Sequence, residues 1–271
     1  MRSAKEISLE NKIIGKVESF KLSGSALKGL KELLEDDEIQ CLQEYANTVS
    51  IVRLGYNDHG PVHMRCVTYT AILMLELLRK AGIQTTIEAD GSGNFEDSLL
   101  AVILGSMLHD IGMAIGRQNH ELHSTILAKP IIDKILIDVY GNNIPKKVMI
   151  RSIALEGIAG HMGTMSISSL EAGIVQVADG SDMTKGRARI PIAMGHSPRV
   201  GHIHQYSANS IEEVTITAGT EKPVRIDVYM SSEVGLFQVE EVLMHKIAGS
   251  TAKQYIELYA NVKNSEERRY L

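Results

Sequence analysis

Along the first two thirds of the chain, apolar residues recur at three- and four-residue spacings, the period of helices with one buried face. Two amphipathic helices are predicted, from Ser25 to about Leu34 and from Asp36 to Leu54, on Leu27, Leu30, Leu33 and Leu34 and on Ile39, Leu42, Tyr45, Ala46 and Val49. The run Leu99–Asp110, "LLAVILGSMLHD", is apolar on every side until it ends in a histidine and an aspartate, which predicts a helix buried all round. Before it, "GPVHMRCVTYTAILMLELLRKAG" reads as a long buried helix. Pro61 stands in its first turn, Arg79 and Lys80 in its last, and Gly82 supplies a left-handed stop. After it, "HELHSTILA" opens a helix that Pro130 kinks or restarts and Gly141 ends, and Pro145 starts another that runs to Gly160. A Ser168-x-x-Glu171 capping box opens a last apolar stripe, to Asp179. Residues 1–22 alternate weakly, as a strand or an ordered arm would. Residues 83–97 read as a polar loop and "IGMAIGRQN" as a turn.

From about Ser207 the period changes. "IEEVTITAG" and "PVRIDVYM" alternate as strands, "LFQVEEVLMHKIAG" has helical spacing, and "QYIELYANV" alternates again. The fold class is therefore mainly α, a helical bundle with a small C-terminal α+β unit of order β-β-α-β. Three regions follow: 1–55, a helical or arm region on the core; 56–190, the histidine-bearing helical domain; and 207–271, the small α+β domain. That last unit shows no catalytic residues of its own and is expected to serve packing, regulatory ligand binding or dimerisation.

Composition narrows the function. A chain of 271 residues, 44% apolar, can bury a sizeable core. A net charge of −5 and the absence of tryptophan argue against nucleic acid as a partner. Two cysteines, Cys41 and Cys66, lie in apolar helical text without metal-binding spacing, which fits a reducing, cytoplasmic setting. The N-terminus lacks the apolar core of a signal peptide, and no stretch reaches the roughly 18 uncharged apolar residues of a membrane span, so a membrane is not expected as a partner.

The chemistry lies where helices end. His109 and Asp110 close the buried run at the edge of the core, where an unpaired charge is costly and a metal ion would make it tolerable, so both are read as metal ligands. His63, His120, His123, His161 and Asp179 also stand beside helix termini. Singly, each fits a capping or satisfied core residue; in series they need a common explanation. Histidines and carboxylates without thiolates suit Mn, Fe, Co, Ni or Zn, and a metal-acidified water is a nucleophile for a phosphoester.

The order His63, then His109-Asp110 followed by Ile-Gly, then Asp179 in "VAD", resembles the HD-domain superfamily of metal-dependent phosphohydrolases over roughly residues 45–185. The resemblance implies that His63, His109, Asp110 and Asp179 hold a first divalent ion. It also maps His120, with Ser124 in a glycine's place, and His161 onto the ligands of a second ion, with Asp110 as bridge and His123 as the fallback. One or two ions per chain are expected. Met113 replaces the lysine that often follows the motif, and no Gly-Tyr-Pro follows His161, which disfavours the cyclic-di-GMP branch.

Asp58 and His59, one turn before His63, are candidates for protonating a leaving group or orienting water; an N-cap at Asn57 or Asp58 is the structural alternative. Arg65 is read as a packed or surface arginine. Lys185, Arg187 and Arg189 alternate, which points them to one side as a phosphate clamp or else as a solvated basic loop. His196, His202 and His204 are assigned to a loop near the site or an interface. The expected activity is hydrolysis of a phosphate ester, of a nucleotide or other small phosphorylated metabolite, by a homodimer. The alternatives are a nucleotide-binding regulatory protein with a structural or weakly active metal site, and a di-iron oxygenase.

Overall fold

Helices α1 (Ala4–Ser19), α2 (Ser25–Glu35), α3 (Asp37–Asn47), α4 (Pro61–Lys80), α5 (Thr86–Ala89), α6 (Phe95–Leu108), α7 (His120–Tyr140), α8 (Ile144–Gly160) and α9 (Leu170–Ser181) form a bundle in the computed structural model, which describes residues 2–185 and 203–271. Its axis is α6, every residue of which is buried, and α2, α4, α8 and α9 pack around it. Phe95–Ala114 is long and apolar enough to cross a membrane by composition, but 94% of that stretch is buried inside the protein, so its apolar character is accounted for by the core.

The two carboxylates that the first turn of α6 carries into this core are both paired, as burial of a carboxylate demands. Glu96 accepts the amides of Ser23 at 3.0 Å, Gly24 at 2.8 Å and Ala26 at 3.2 Å, and so caps α2, whose own N-cap is Gly24. Asp97 pairs with the Lys146 ammonium at 2.9 Å and accepts the Tyr140 hydroxyl at 2.7 Å.

Several local expectations are corrected. Residues 4–19 form a helix, α1, where a strand or arm was predicted. Its buried face is Glu6, Glu10, Ile13 and Val17, so two carboxylates fill half of the stripe and mask the helical period. Glu10 is held by Arg65, which donates to it at 2.8 Å and also to Gln43, Gln40 and the Pro61 carbonyl; Arg65 is thus a packed arginine tying α1 to α3 and α4. The loop predicted at 83–97 contains α5, opened by a Thr85/Glu88 capping box. The helix Asp36–Leu54 becomes α3 followed by a π-helical turn, Thr48–Arg53, and Cys41 is exposed on α3. Pro130 lies inside α7, which does not restart there. The box predicted at Ser168 is absent. Ser169 caps α9, and Glu171 accepts the amides of Thr86 and Ile87 of α5.

The C-terminal unit comprises α10 (Ile203–Ser210), β1 (Ile211–Ala218), β2 (Val224–Met230), a helical segment made of a π turn (Gln238–Leu243) and α11 (Met244–Ala248), then β3 (Ile256–Val262) and β4 (Arg268–Arg269). Sheet order is β1-β2-β3-β4. β1 and β2 are antiparallel, whereas β2 and β3 are parallel, from Val224 opposite Ile256 to Met230 opposite Val262. A parallel pair needs a crossover connection, and the segment carrying α11 supplies it. The β-β-α-β order therefore stands, with β4 added. The unit's apolar residues, among them Ile226, Leu243, Ile247 and Leu258, join Ile174 and Val177 of α9 in one continuous core.

The crossover approaches α9 along a face kept open by glycine. A Cβ at Gly173 would lie 2.2 Å from Thr251 Oγ1 and 2.7 Å from Ser250 Oγ, and one at Gly180 would lie 3.0 Å from Lys246 Cδ. These two glycines, seven residues apart, share one face of the helix.

Candidate metal centre

Five helix ends meet at one point. His63 is in the first turn of α4, preset by Pro61. His109 closes α6 and Asp110 follows it. His120 opens α7 after Asn119, which turns the chain at a φ of 53°. His161 closes α8, and Asp179 lies in the last turn of α9. All six side chains are buried.

Asp110 stands at the centre. Its Oδ2 lies 3.3 Å from His63 Nε2 and 3.4 Å from His109 Nε2, while Oδ1 lies 3.2 Å from His120 Nε2 and 3.4 Å from His161 Nε2. Asp179 Oδ1 adds to the first group, 3.2 Å from His63 Nε2 and 3.7 Å from His109 Nε2. The paired histidine nitrogens are 3.1 Å apart in both groups. Two ligand atoms each about 2.1 Å from one ion are separated by about 3.0 Å in octahedral and about 3.4 Å in tetrahedral geometry. The donor spacings therefore fit two divalent ions sharing Asp110.

The far side of each ring is tied down. Nδ1–H of His109 donates to the Ser106 carbonyl at 2.8 Å, that of His120 to the Arg117 carbonyl at 3.1 Å, and that of His161 to the Ile158 carbonyl at 2.6 Å. A carbonyl can only accept, so these bonds place the proton on Nδ1 and leave Nε2 a lone-pair donor aimed inward. His63 Nδ1 faces the Asp182 carboxylate at 2.6 Å, the carboxylate–histidine arrangement that raises ligand basicity.

Electrostatics favour positive charge here. Burial opposes protonation of His109, but the carboxylates of Asp110 and Asp179 overcome it and raise its pKa to about 9. Asp110 and Asp179 stay ionised in spite of burial, the first beside His109 and His59, the second beside Lys246 and His109, and both are held well below the ordinary carboxylate range. Burial pushes His161 down to about 4 even with Asp110 alongside, which keeps it a neutral ligand. His109 thus carries, as a proton, the charge that a cation between the two carboxylates would carry.

Above the ligands opens a cavity of about 480 Å³ lined by Tyr56, His59, Arg117, Met162, Gln238 and Lys246, among others. Of the predicted catalytic residues, His59 lines it, with its ring centroid 5.9 Å from that of His63. Asp58 does not. It is buried in the loop before α4, where its Oδ1 accepts the Gly60 amide at 2.8 Å; the N-cap of α4 is Gly60, so neither Asn57 nor Asp58 takes the capping position. His123 is half-buried and outside the cavity lining, whereas His120 faces Asp110. Gly112 explains the Ile-Gly after His109-Asp110: a Cβ there would stand 2.1 Å from the His120 carbonyl and 2.4 Å from the Ser124 amide. Met113, where a lysine often stands, is buried in the core.

Of the predicted phosphate clamp, the structure describes Lys185 alone. Lys185 is exposed and does not line the cavity, and Arg187, Arg189, His196, His202 and the side chain of His204 lie outside the described residues. The C-terminal unit, expected to carry no site residues, instead contributes Gln238, Glu241, His245 and Lys246, and the Lys246 ammonium donates to Asp179 Oδ2. The available signal was the pair Gly173 and Gly180, which marks a face of α9 reserved for a close neighbour.

No protein-family model and no solved structure matches the chain. It is similar to uncharacterized protein MJ1020 of Methanocaldococcus jannaschii, 42% identical over 235 residues that span 87% of this chain and 88% of that protein.

Proposed function

Because this chain belongs to the same family as uncharacterized protein MJ1020, a name that assigns no activity, we propose its function from its own donor cluster: metal-dependent hydrolysis of a phosphate ester, in the manner of the HD-domain superfamily. One observation carries the reading, namely that the two oxygens of Asp110 each face a separate pair of histidine Nε2 atoms. Divalent ions held there would supply Lewis acidity, a water nucleophile near neutral pH and neutralisation of phosphoryl charge.

The chain's own groups account for the rest. Asp110 fixes the spacing between the two donor groups, and the Nδ1 anchors hold the rings in position before any ligand binds. Against the two carboxylates Asp110 and Asp179, two divalent ions would leave net positive charge at the cavity, which would suit an anionic phosphoryl group. His59 lines the cavity with its Nδ1 2.7 Å from the Asn57 carbonyl, and is the candidate acid for the leaving oxygen. The cavity has room for a nucleotide or a phosphorylated metabolite of similar size.

The test is metal analysis of the purified protein together with a phosphoester panel assayed with Mn, Co and Ni. About two ions per chain and divalent-dependent release of phosphate are expected. Full metal occupancy with no hydrolysis of any phosphoester would overturn the reading.

A further inference from the structure

We propose that Lys246, carried by the C-terminal α+β unit, is a substrate-binding residue of the centre, its ammonium engaging the phosphoryl oxygens while it holds Asp179; the proposal rests on the phosphohydrolase reading above. The first ground is what the ammonium touches. It lies on the cavity wall, only 8% of the residue is exposed, and its one hydrogen-bond acceptor among the described residues is Asp179 Oδ2. An ammonium has three donors. The remaining two have no acceptor among the described residues, and a buried cation on a cavity wall calls for an anionic or polar ligand there.

The second ground is the way the chain is built to bring Lys246 in. Residue 180, directly after Asp179, is glycine, and any Cβ there would press on the lysine stem, 3.0 Å from Cδ and 3.5 Å from Cβ. The stem crosses the helix backbone at that gap and reaches the far oxygen of Asp179, leaving Oδ1 toward His63.

The third ground is where the other cation stands. Arg117 also lines the cavity, with Nη1 3.3 Å from His120 Nε2, beside the second donor group, whereas Lys246 stands beside the first. The two cations therefore bracket the ligand cluster. A tetrahedral dianion between them can accept from a point charge on one side and a guanidinium on the other.

The experiment uses the full chain loaded with Mn2+ and inorganic phosphate as probe, by titration calorimetry on the native protein, Lys246→Met and Lys246→Arg. Lys246→Met is expected to keep the native Mn2+ stoichiometry and to bind phosphate about 10- to 100-fold more weakly, the loss of a charge-assisted hydrogen bond. Lys246→Arg should recover most of that affinity. Should Lys246→Met not fold, Lys246→Gln, which is uncharged but can still donate to Asp179, gives the same comparison. Native phosphate affinity in the Mn2+-loaded Met or Gln variant overturns the proposal, as does loss of one Mn2+ ion in either, which would reduce the lysine to a prop for Asp179. A native protein that takes up Mn2+ but binds no phosphate overturns this proposal alone, whereas the phosphohydrolase reading falls only if no phosphoester is hydrolysed, so the two failures are told apart.

Discussion

Replacing Asp110 tests the shared carboxylate directly. Its two oxygens face different histidine pairs, so Asp110→Ala removes a ligand from both donor groups, whereas Asp179→Ala removes one from the first alone and His120→Ala one from the second. At free ion about a hundredfold above Kd, one filled site stabilises the fold by about 2.7 kcal/mol and two independent sites by about 5 kcal/mol. For a chain of this size about 1 kcal/mol moves the midpoint by roughly 2–4 °C, so saturating Mn2+ should raise the native Tm by about 10–20 °C. The quantity to compare is this metal-induced shift, because Asp110→Ala also alters the metal-free protein by removing the partner of His109. Thermal melts with and without Mn2+, alongside metal analysis, should show close to no shift for Asp110→Ala and about half the native shift for Asp179→Ala and His120→Ala. An Asp110→Ala protein that keeps half of the shift would refute the bridging role, since one donor group would then be complete without it.

Further expectations follow from the same geometry. His161→Ala should lower metal content from about two ions to about one with the fold intact, and His123→Ala should leave it unchanged, as metal analysis of the two variants can decide. His109 holds its proton up to about pH 9 in the metal-free protein, above its ordinary 6.5. The stability this proton contributes is therefore complete below about pH 6.5 and lost as pH rises through about 9. Metal must displace it, so Mn2+ affinity measured between pH 6.5 and 8.5 should rise up to about tenfold per unit; a flat profile would contradict the assignment. Gly112→Ala should destabilise by about 1–3 kcal/mol or more in urea melts and loosen the second ion selectively, because the new methyl group meets the backbone of His120 and Ser124.

Much of the centre could be read from sequence because each ligand sits where a recognisable helix ends. The apolar run that stops at His109-Asp110, Pro61 just before His63 and the glycines around His161 are local signals, and local signals survive in one dimension. What was hidden was hidden by pairing across the fold. In α1 the buried stripe is half carboxylate because Arg65, far along the chain, neutralises Glu10, so polarity there signals burial. Asp58 stands beside His59 in sequence, yet His59 lines the cavity and Asp58 turns one oxygen to the Gly60 amide, a difference made by the fold of the loop. Lys246 meets Asp179 across 67 residues and from a unit with a different period, and only the glycine face of α9 announced the contact.

The crossover that joins β2 to β3 also sets a clock for the cavity. A side chain on a hairpin tip or a terminal arm can swing aside in nanoseconds to microseconds, but Lys246 is borne on a segment stitched at both ends into parallel neighbouring strands of the sheet. Its Leu243 and Ile247 are also buried in the core, so moving that wall outward would expose them, which is rarer than a loop motion. The Lys246 side of the cavity is thus held by the sheet, whereas Tyr56 and Arg117 of its lining stand on irregular chain between helices, the kind of segment that moves on the faster time scale.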